Sequence, residues 1–92
     1  MKLVGRELLK AFMKRHAGAR SALAAWVEEV ESACWPGPAD IKARFVTASF
    51  LANSEVIFNI KGNKYRLKVQ VIYLPQLVIV KGIGTHAEYD RW

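Results

Sequence analysis

Residues 56–73 read VIFNIKGNKYRLKVQVIY, and they carry the clearest indication of the fold. On both sides of Gly62 and Asn63, β-branched and aromatic residues alternate with polar ones, which is the period of two expected for strands with one covered face. Glycine and asparagine both tolerate the positive φ angles of a tight hairpin turn. The stretch therefore predicts two antiparallel strands joined by a two-residue loop, with Ile60 opposite Tyr65.

The predicted hairpin separates apolar from charged side chains, because successive side chains of a strand point to opposite faces. The apolar face consists of Phe58, Ile60, Tyr65, Leu67, Val69 and Val71. The other face consists of Asn59, Lys61, Lys64, Arg66 and Lys68. Ordinary protein surfaces mix both signs of charge, and like charges on opposed strands destabilise a sheet. The cationic face is therefore better explained as an anion-binding surface than as a merely solvated one.

A second hairpin is predicted between this stretch and LVIVKGIG, residues 77–84. A tight turn at residues 75–76 would pair Gln70 with Lys81. That register puts Lys81 on the cationic face and Val78 in the core.

The first half of the chain has the spacing of helices. Residues 1–4 predict a short edge strand, and apolar residues recur at helical spacing over residues 6–16 and again over residues 21–33. PADIKARF, residues 38–45, predicts a short third helix with a proline in its first turn. We expect one α+β domain over residues 1–92, with two N-terminal helices and a short third packed on one face of a small antiparallel sheet.

The composition is that of a folded protein with a basic surface. Hydrophobic residues make up 52% of the chain and charged residues 24%, and the formal net charge is +6, which favours a polyanion or an acidic protein as partner. No acidic residue lies between Glu55 and Glu88. The single cysteine, Cys34, excludes an internal disulfide, and no Cys/His zinc spacing is present. Since no signal-peptide or membrane-span pattern is found, we expect a cytoplasmic protein with no membrane partner.

The tail GIGTHAEYD, residues 82–90, carries polar groups that suit chemistry. A metal site formed by His86 and Asp90 would have only two ligands and is disfavoured. Capping of a helix is the expected role of Thr85 or Asp90. His86 and Tyr89, three residues apart, can lie on one side of a turn, where they could hydrogen-bond a phosphate or exchange protons with it.

Three segments, ADIKARF, VIFNIKGNKYRLKVQVIY and GIGTHAEYDRW, resemble in order and spacing the HigB toxins of type II toxin–antitoxin modules, within the RelE-like group. The similarity runs over nearly all of the chain. It implies helices packed on one side of an antiparallel sheet. It also implies an endoribonuclease that cuts mRNA, usually on the ribosome, and that is silenced by a helix-turn-helix antitoxin of the HigA type.

The resemblance also implies a set of site residues. Its motif positions in this chain are Asn59, Lys61, Asn63, Lys64, Arg66, His86 and Tyr89. The family often carries an arginine where this chain has Lys81. Lysine keeps the positive charge but loses the planar, bidentate contact with phosphate.

RNA can be cut without a metal or other cofactor when its own 2′-OH attacks the adjacent phosphate. This reaction needs a base, an acid and cations that stabilise the developing charge. The predicted catalytic residues are Lys64, Arg66, His86 and Tyr89. The predicted RNA-binding residues are Asn59, Lys61, Asn63, Lys68 and Lys81. Which residue is the general base is left open at this point.

Two other functions stay open. One is a gyrase-poisoning toxin of the same superfamily, which binds a protein and cuts nothing. The other is a non-enzymatic RNA-binding module, but this reading gives His86 and Tyr89 no role, and the cationic face lacks the row of aromatic residues that stack on bases. The tail therefore favours a nuclease over both.

Overall fold

The computed structural model describes residues 1–89, with side chains up to Glu88. Asp90 lies outside the described residues, as does the side chain of Tyr89. The elements, in chain order, are β1 (Lys2–Val4), α1 (Arg6–Arg15), a 3₁₀ turn (Ala17–Ala19), α2 (Arg20–Ser32), α3 (Pro38–Arg44), β2 (Ser49–Phe50), β3 (Glu55–Ile60), β4 (Tyr65–Ile72), β5 (Leu77–Thr85) and α4 (His86–Tyr89). In this part of the chain, no helix has the length and apolar character needed to cross a membrane.

The five strands form one sheet in the order β1-β5-β4-β3-β2. Strands β2 to β5 form the expected antiparallel meander. The edge strand β1 instead pairs in parallel with β5, with Lys2 opposite Leu77, so the sheet is mixed rather than wholly antiparallel. The reason is topological, because a long helical connection allows a strand to return beside the first one in the same direction. The α+β class with helices on the sheet is confirmed.

The register of the first hairpin is confirmed, but the conformation of its turn is not. Ile60 lies opposite Tyr65, as predicted. The left-handed residues are Lys61, with φ 55°, and Gly62, with φ 66°, whereas the prediction placed them at Gly62 and Asn63. A non-glycine residue in this conformation is strained.

The predicted register of the second hairpin is wrong. Its loop contains four residues, 73–76, and Gln70 lies opposite Ile79 rather than Lys81. The Gln76 side chain holds the loop, because its amide nitrogen donates to the Tyr73 carbonyl at 2.7 Å and its oxygen accepts from the Trp35 backbone N–H at 2.9 Å.

A β-bulge interrupts the pairing of β4 with β5 beyond this loop. Val69 pairs with Val80 and Lys68 pairs with Gly82, so Lys81 is the extra residue of the bulge. The side chain of Lys81 is exposed while Val80 is buried. Lys81 therefore belongs to the cationic face, as predicted, although the Gln70–Lys81 pairing that led to this prediction is wrong.

Helices α1, α2 and α3 cover one face of the sheet. They bury Leu9, Phe12, Leu23, Trp26, Val30 and Ile41. The sheet residues in the same core are Phe58, Ile60, Tyr65, Leu67, Val69, Val71, Val78 and Val80, none of which is more than 5% exposed. The aromatic rings of Trp26 and Phe45 meet Phe58 edge-on, with centroids at 5.4 and 5.0 Å. The apolar face predicted from the alternation is therefore the core face.

Gly5, between β1 and α1, provides a test of this packing. Its φ is 94°, and a Cβ at this position would lie 3.1 Å from Val80 Cβ and 3.2 Å from the Val80 carbonyl oxygen. Gly62 is also left-handed, but a Cβ there would meet nothing within 4 Å. We expect Gly62→Ala to lower the free energy of unfolding by about 1–2 kcal/mol through conformational strain alone. Gly5→Ala should lower it further, because the strand also has to move. Equal values for the two variants in urea unfolding would contradict this account.

Candidate functional site

The pairing of β4 with β5 brings the hairpin turn and the tail together. Thr85 lies opposite Tyr65, and Gly84 lies opposite Arg66. Immediately beyond the pair, the backbone N–H of His86 donates to the carbonyl oxygen of Lys64 at 3.2 Å. His86 therefore begins α4 directly beside the start of β4, and its side chain is exposed.

Thr85 caps the N-terminus of α4, as predicted. The Thr85 hydroxyl accepts a hydrogen bond from the Glu88 backbone N–H at 3.3 Å, and the Glu88 carboxylate accepts one from the Thr85 backbone N–H at 2.8 Å. This reciprocal pair is a capping box. The role of Glu88 was not predicted, although the T-x-x-E spacing of residues 85–88 is the sequence signal of such a box.

The two cationic residues of β4, Arg66 and Lys68, are paired with glycines of β5. Arg66 lies opposite Gly84 and Lys68 lies opposite Gly82. The Arg66 side chain is half-buried, and its Nη1 donates to the Asn63 carbonyl at 3.1 Å, which draws the guanidinium towards the hairpin turn. Gly82 thus leaves no side chain opposite Lys68, whereas the place opposite Arg66, at Gly84, is taken by the Glu88 side chain.

Lys68 and Lys81 form a second cationic group on the same face. Together with Gly82 and Ile83 they line a shallow depression next to the bulge. The ammonium of Lys68 lies 3.5 Å from the Glu55 carboxylate. The cationic face is therefore not free of acid, because Glu55 on β3 reaches it.

Lys61 does not share this face, and its predicted placement is wrong. Its ammonium donates to the carbonyl oxygen of Gly18 at 3.1 Å, on the helix-covered side, close to the Tyr65 hydroxyl. The physical reason is the left-handed conformation of Lys61, which takes its side chain out of the strand alternation. A role of Lys61 in RNA binding stays a prediction.

The predicted polar residues Asn59 and Asn63 lie on either side of the turn. They line a shallow depression together with Thr47 and Gly62. The amide nitrogen of Asn59 donates to the Thr47 carbonyl at 3.4 Å. The structure therefore groups both asparagines at the end of the sheet that carries Lys64.

The end of α1 also reaches this region, which the sequence did not predict. The pKa of the Glu88 carboxyl is lowered from its ordinary value, chiefly by the hydrogen bond from the Thr85 backbone and further by the charges of His16 and Arg15. His16 stacks on Phe12 with ring centroids 4.4 Å apart and meets Tyr65 edge-on at 6.0 Å. In the described residues, no three His, Cys, Asp or Glu side chains are grouped so as to hold a metal ion.

A comparison with protein families finds one match over most of the chain. The model of the HigB toxin family, described as the RelE-like toxic component of a toxin–antitoxin system, matches residues 19–92. This range includes α2, the hairpin and the tail. No curated protein matches the sequence.

The conformation of Lys61 generates a stability prediction. Lys61→Ala and Lys61→Gly both remove the hydrogen bond to Gly18, but only glycine adopts the left-handed conformation without strain. We expect Lys61→Gly to be the more stable of the two by about 1 kcal/mol, measured as the difference in their free energies of unfolding in urea. An alanine variant as stable as the glycine variant would mean that residue 61 is not left-handed in solution.

Proposed function

The chain belongs to the HigB family, the RelE-like toxic components of toxin–antitoxin systems, and on that premise we propose that it is a metal-independent endoribonuclease. Its substrate in this proposal is mRNA on the ribosome, so that cleavage inhibits translation. The family match covers 19–92, the range that holds the hairpin and the tail. The chemistry of the side chains in these two segments supports the endoribonuclease activity.

One observation carries the proposal: the contact between the His86 backbone and Lys64. Imidazole is the side chain that most readily exchanges protons near neutral pH. Here it begins a helix at the same end of the sheet as Lys64 and Arg66. A phosphodiester bound at this end would meet both a proton-transfer group and two positive charges.

In the proposed reaction, a base removes the proton of the ribose 2′-OH, and the 2′ oxygen forms a bond to the adjacent phosphorus. The bond from phosphorus to the 5′ oxygen breaks, and an acid supplies a proton to that oxygen. The products are a 2′,3′-cyclic phosphate and a free 5′-OH. We assign proton transfer to His86 and Tyr89, and stabilisation of the charged transition state to Lys64 and Arg66.

In the proposal, the remaining polar side chains bind the RNA strand on either side of the cleaved bond. Lys68 and Lys81, at the bulge, would contact a neighbouring phosphate, since phosphate contacts position a nucleic acid without reading its sequence. Asn59 and Asn63 would contact the RNA at the turn. Lys61 is the least suited of the predicted RNA-binding residues, because its ammonium is bonded to Gly18.

The partners follow from the family and from the proposed substrate. A toxin of this class has an antitoxin, and we propose a helix-turn-helix antitoxin of the HigA type. The other proposed partners are mRNA and the ribosome, which would place the activity in the cytoplasm. No cofactor enters the proposed reaction, because the RNA supplies its own nucleophile.

The first test of the function separates cleavage from binding. Induction of the toxin without its antitoxin should arrest growth and produce transcript ends inside translated regions. We expect Arg66→Ala and His86→Ala to lower single-turnover cleavage by roughly 10²–10⁴-fold with little loss of ribosome binding. Lys10→Ala, which removes an exposed cation of α1, is the matched control and should cleave as the parent does.

Three outcomes would decide against the proposal. Folded Arg66→Ala and His86→Ala proteins that cleave at the parental rate would show that the site is elsewhere. Growth arrest with intact mRNA and accumulating DNA breaks would indicate a gyrase-poisoning toxin. Tight RNA binding without cleavage would indicate a non-enzymatic RNA-binding module.

A second test addresses the lysines at the bulge. Lys68→Ala and Lys81→Ala should each weaken ribosome binding and make the slope of log K against log salt shallower by about 1, while cleavage at saturation changes little. Lys68→Ala should have the larger effect on affinity, because it also leaves the Glu55 carboxylate on the face without its partner. Salt titrations with Lys10→Ala as control would check this. Unchanged slopes would exclude a phosphate contact at the bulge.

A further inference from the structure

We propose that Thr85 and Glu88 are positioning residues that hold His86 at the start of α4. The inference rests on the proposed function, in which His86 transfers a proton to or from RNA. Neither residue needs to touch the substrate in this role. Their hydrogen bonds would instead restrict where the imidazole can lie.

The described part of α4 is one turn, His86–Tyr89, and a single turn is unstable on its own because helix nucleation is unfavourable. Three hydrogen bonds hold its start: Thr85 N–H to the Glu88 carboxylate, Glu88 N–H to the Thr85 hydroxyl, and His86 N–H to the Lys64 carbonyl. The backbone that carries His86 is therefore tied both to its own next turn and to β4.

Strand β5 is shaped to receive the Glu88 side chain. A Cβ at Gly84 would lie 3.0 Å from Glu88 Cβ and 3.2 Å from its Oε1. The Glu88 side chain thus folds back over the end of the strand. A larger residue at position 84 would have to displace it, and with it the bond that Glu88 makes to Thr85.

The surroundings of Glu88 favour the charged form of its carboxyl group. The hydrogen bond from the Thr85 backbone, and then the charges of His16 and Arg15, lower the pKa of the Glu88 carboxyl, although desolvation opposes them. The group is therefore an anion at neutral pH. It makes a poor proton donor there, and one of its oxygens is already bonded to Thr85. This favours a positioning role for Glu88 over a direct part in proton transfer.

The test compares disruptive with conservative substitutions at both positions. Glu88→Ala removes the acceptor, whereas Glu88→Gln keeps an uncharged oxygen that can accept the same bond. Thr85→Val removes the hydroxyl at nearly constant shape, whereas Thr85→Ser restores it. We expect Glu88→Ala and Thr85→Val to lower single-turnover cleavage by roughly 10²-fold, the effect of misplacing a reacting group by about 1 Å. Ribosome affinity should stay within about twofold of the parent's, since a misplaced group mainly affects the transition state.

The conservative variants and a control complete the series. Glu88→Gln and Thr85→Ser should recover most of the cleavage rate. Glu31→Ala, which deletes an exposed carboxylate paired with Arg6 on the helices, should cleave as the parent does. If Glu88→Gln is as inactive as Glu88→Ala, the charge itself takes part in the reaction and the positioning role is wrong. Parental rates in folded Glu88→Ala and Thr85→Val would also overturn it.

A second readout does not depend on cleavage. In NMR spectra, His86 of the parent should show one set of imidazole signals, and its side-chain couplings should indicate one rotamer. Glu88→Ala and Thr85→Val should show averaged couplings and faster exchange of the Thr85 amide. If the parent cuts no RNA, the proposed function fails, but these spectra still decide whether Thr85 and Glu88 order His86. Unchanged His86 couplings would overturn the inference. If Glu88→Ala does not fold, Thr85→Val and Thr85→Ser still test the inference.

Discussion

Strand β4 sets the register of the central part of the sheet, because it is hydrogen-bonded to β3 on one side and to β5 on the other. Its residues Tyr65, Leu67 and Val69 are buried under the helices. Arg66 and Lys68, which alternate with them, lie on the cationic face on the other side of the sheet. A shift of one residue would exchange the two sets. It would expose the core and bury unpaired charges, which a small domain with a marginal free energy of unfolding cannot tolerate. The core and the candidate site are therefore held by the same register.

Strand β5 adapts to this constraint through its bulge and its glycines. The bulge takes up Lys81 and sets Gly82 and Gly84 opposite the cations of β4. Both glycines lie in a strand, where glycine is normally unfavourable because it has no side chain to pack. Here Gly82 leaves no side chain opposite Lys68, and Gly84 admits the side chain of Glu88. The two glycines therefore make β5 locally less stable than other residues would, at the end of the sheet that carries the candidate site.

The proposed nuclease chemistry uses side chains from two separate segments of the chain, which meet at one end of the sheet. Lys64 and Arg66 come from the hairpin, and His86 comes from the tail, which the β4–β5 ladder brings alongside. Arg66 lies on a paired strand, where side chains are held more firmly than on loops. The clustering of like charges is unfavourable for folding, and such local conflicts are expected at functional sites. This supports the family's toxin function as the reason for the cationic face.

The α+β class, helices α1 to α3, the register of the first hairpin and the alternation of buried and polar side chains along β4 can all be predicted from the sequence. These features depend on local periodicity and on a glycine turn, which are visible within a few residues. Four features depend on the tertiary structure. Strand β1 is parallel to β5, the Gln76 side chain of the second loop bonds to Trp35, Lys61 bonds to Gly18, and the end of α1 faces Glu88. Each of these depends on contacts between residues far apart in the chain, and no local pattern encodes which distant group a side chain will meet.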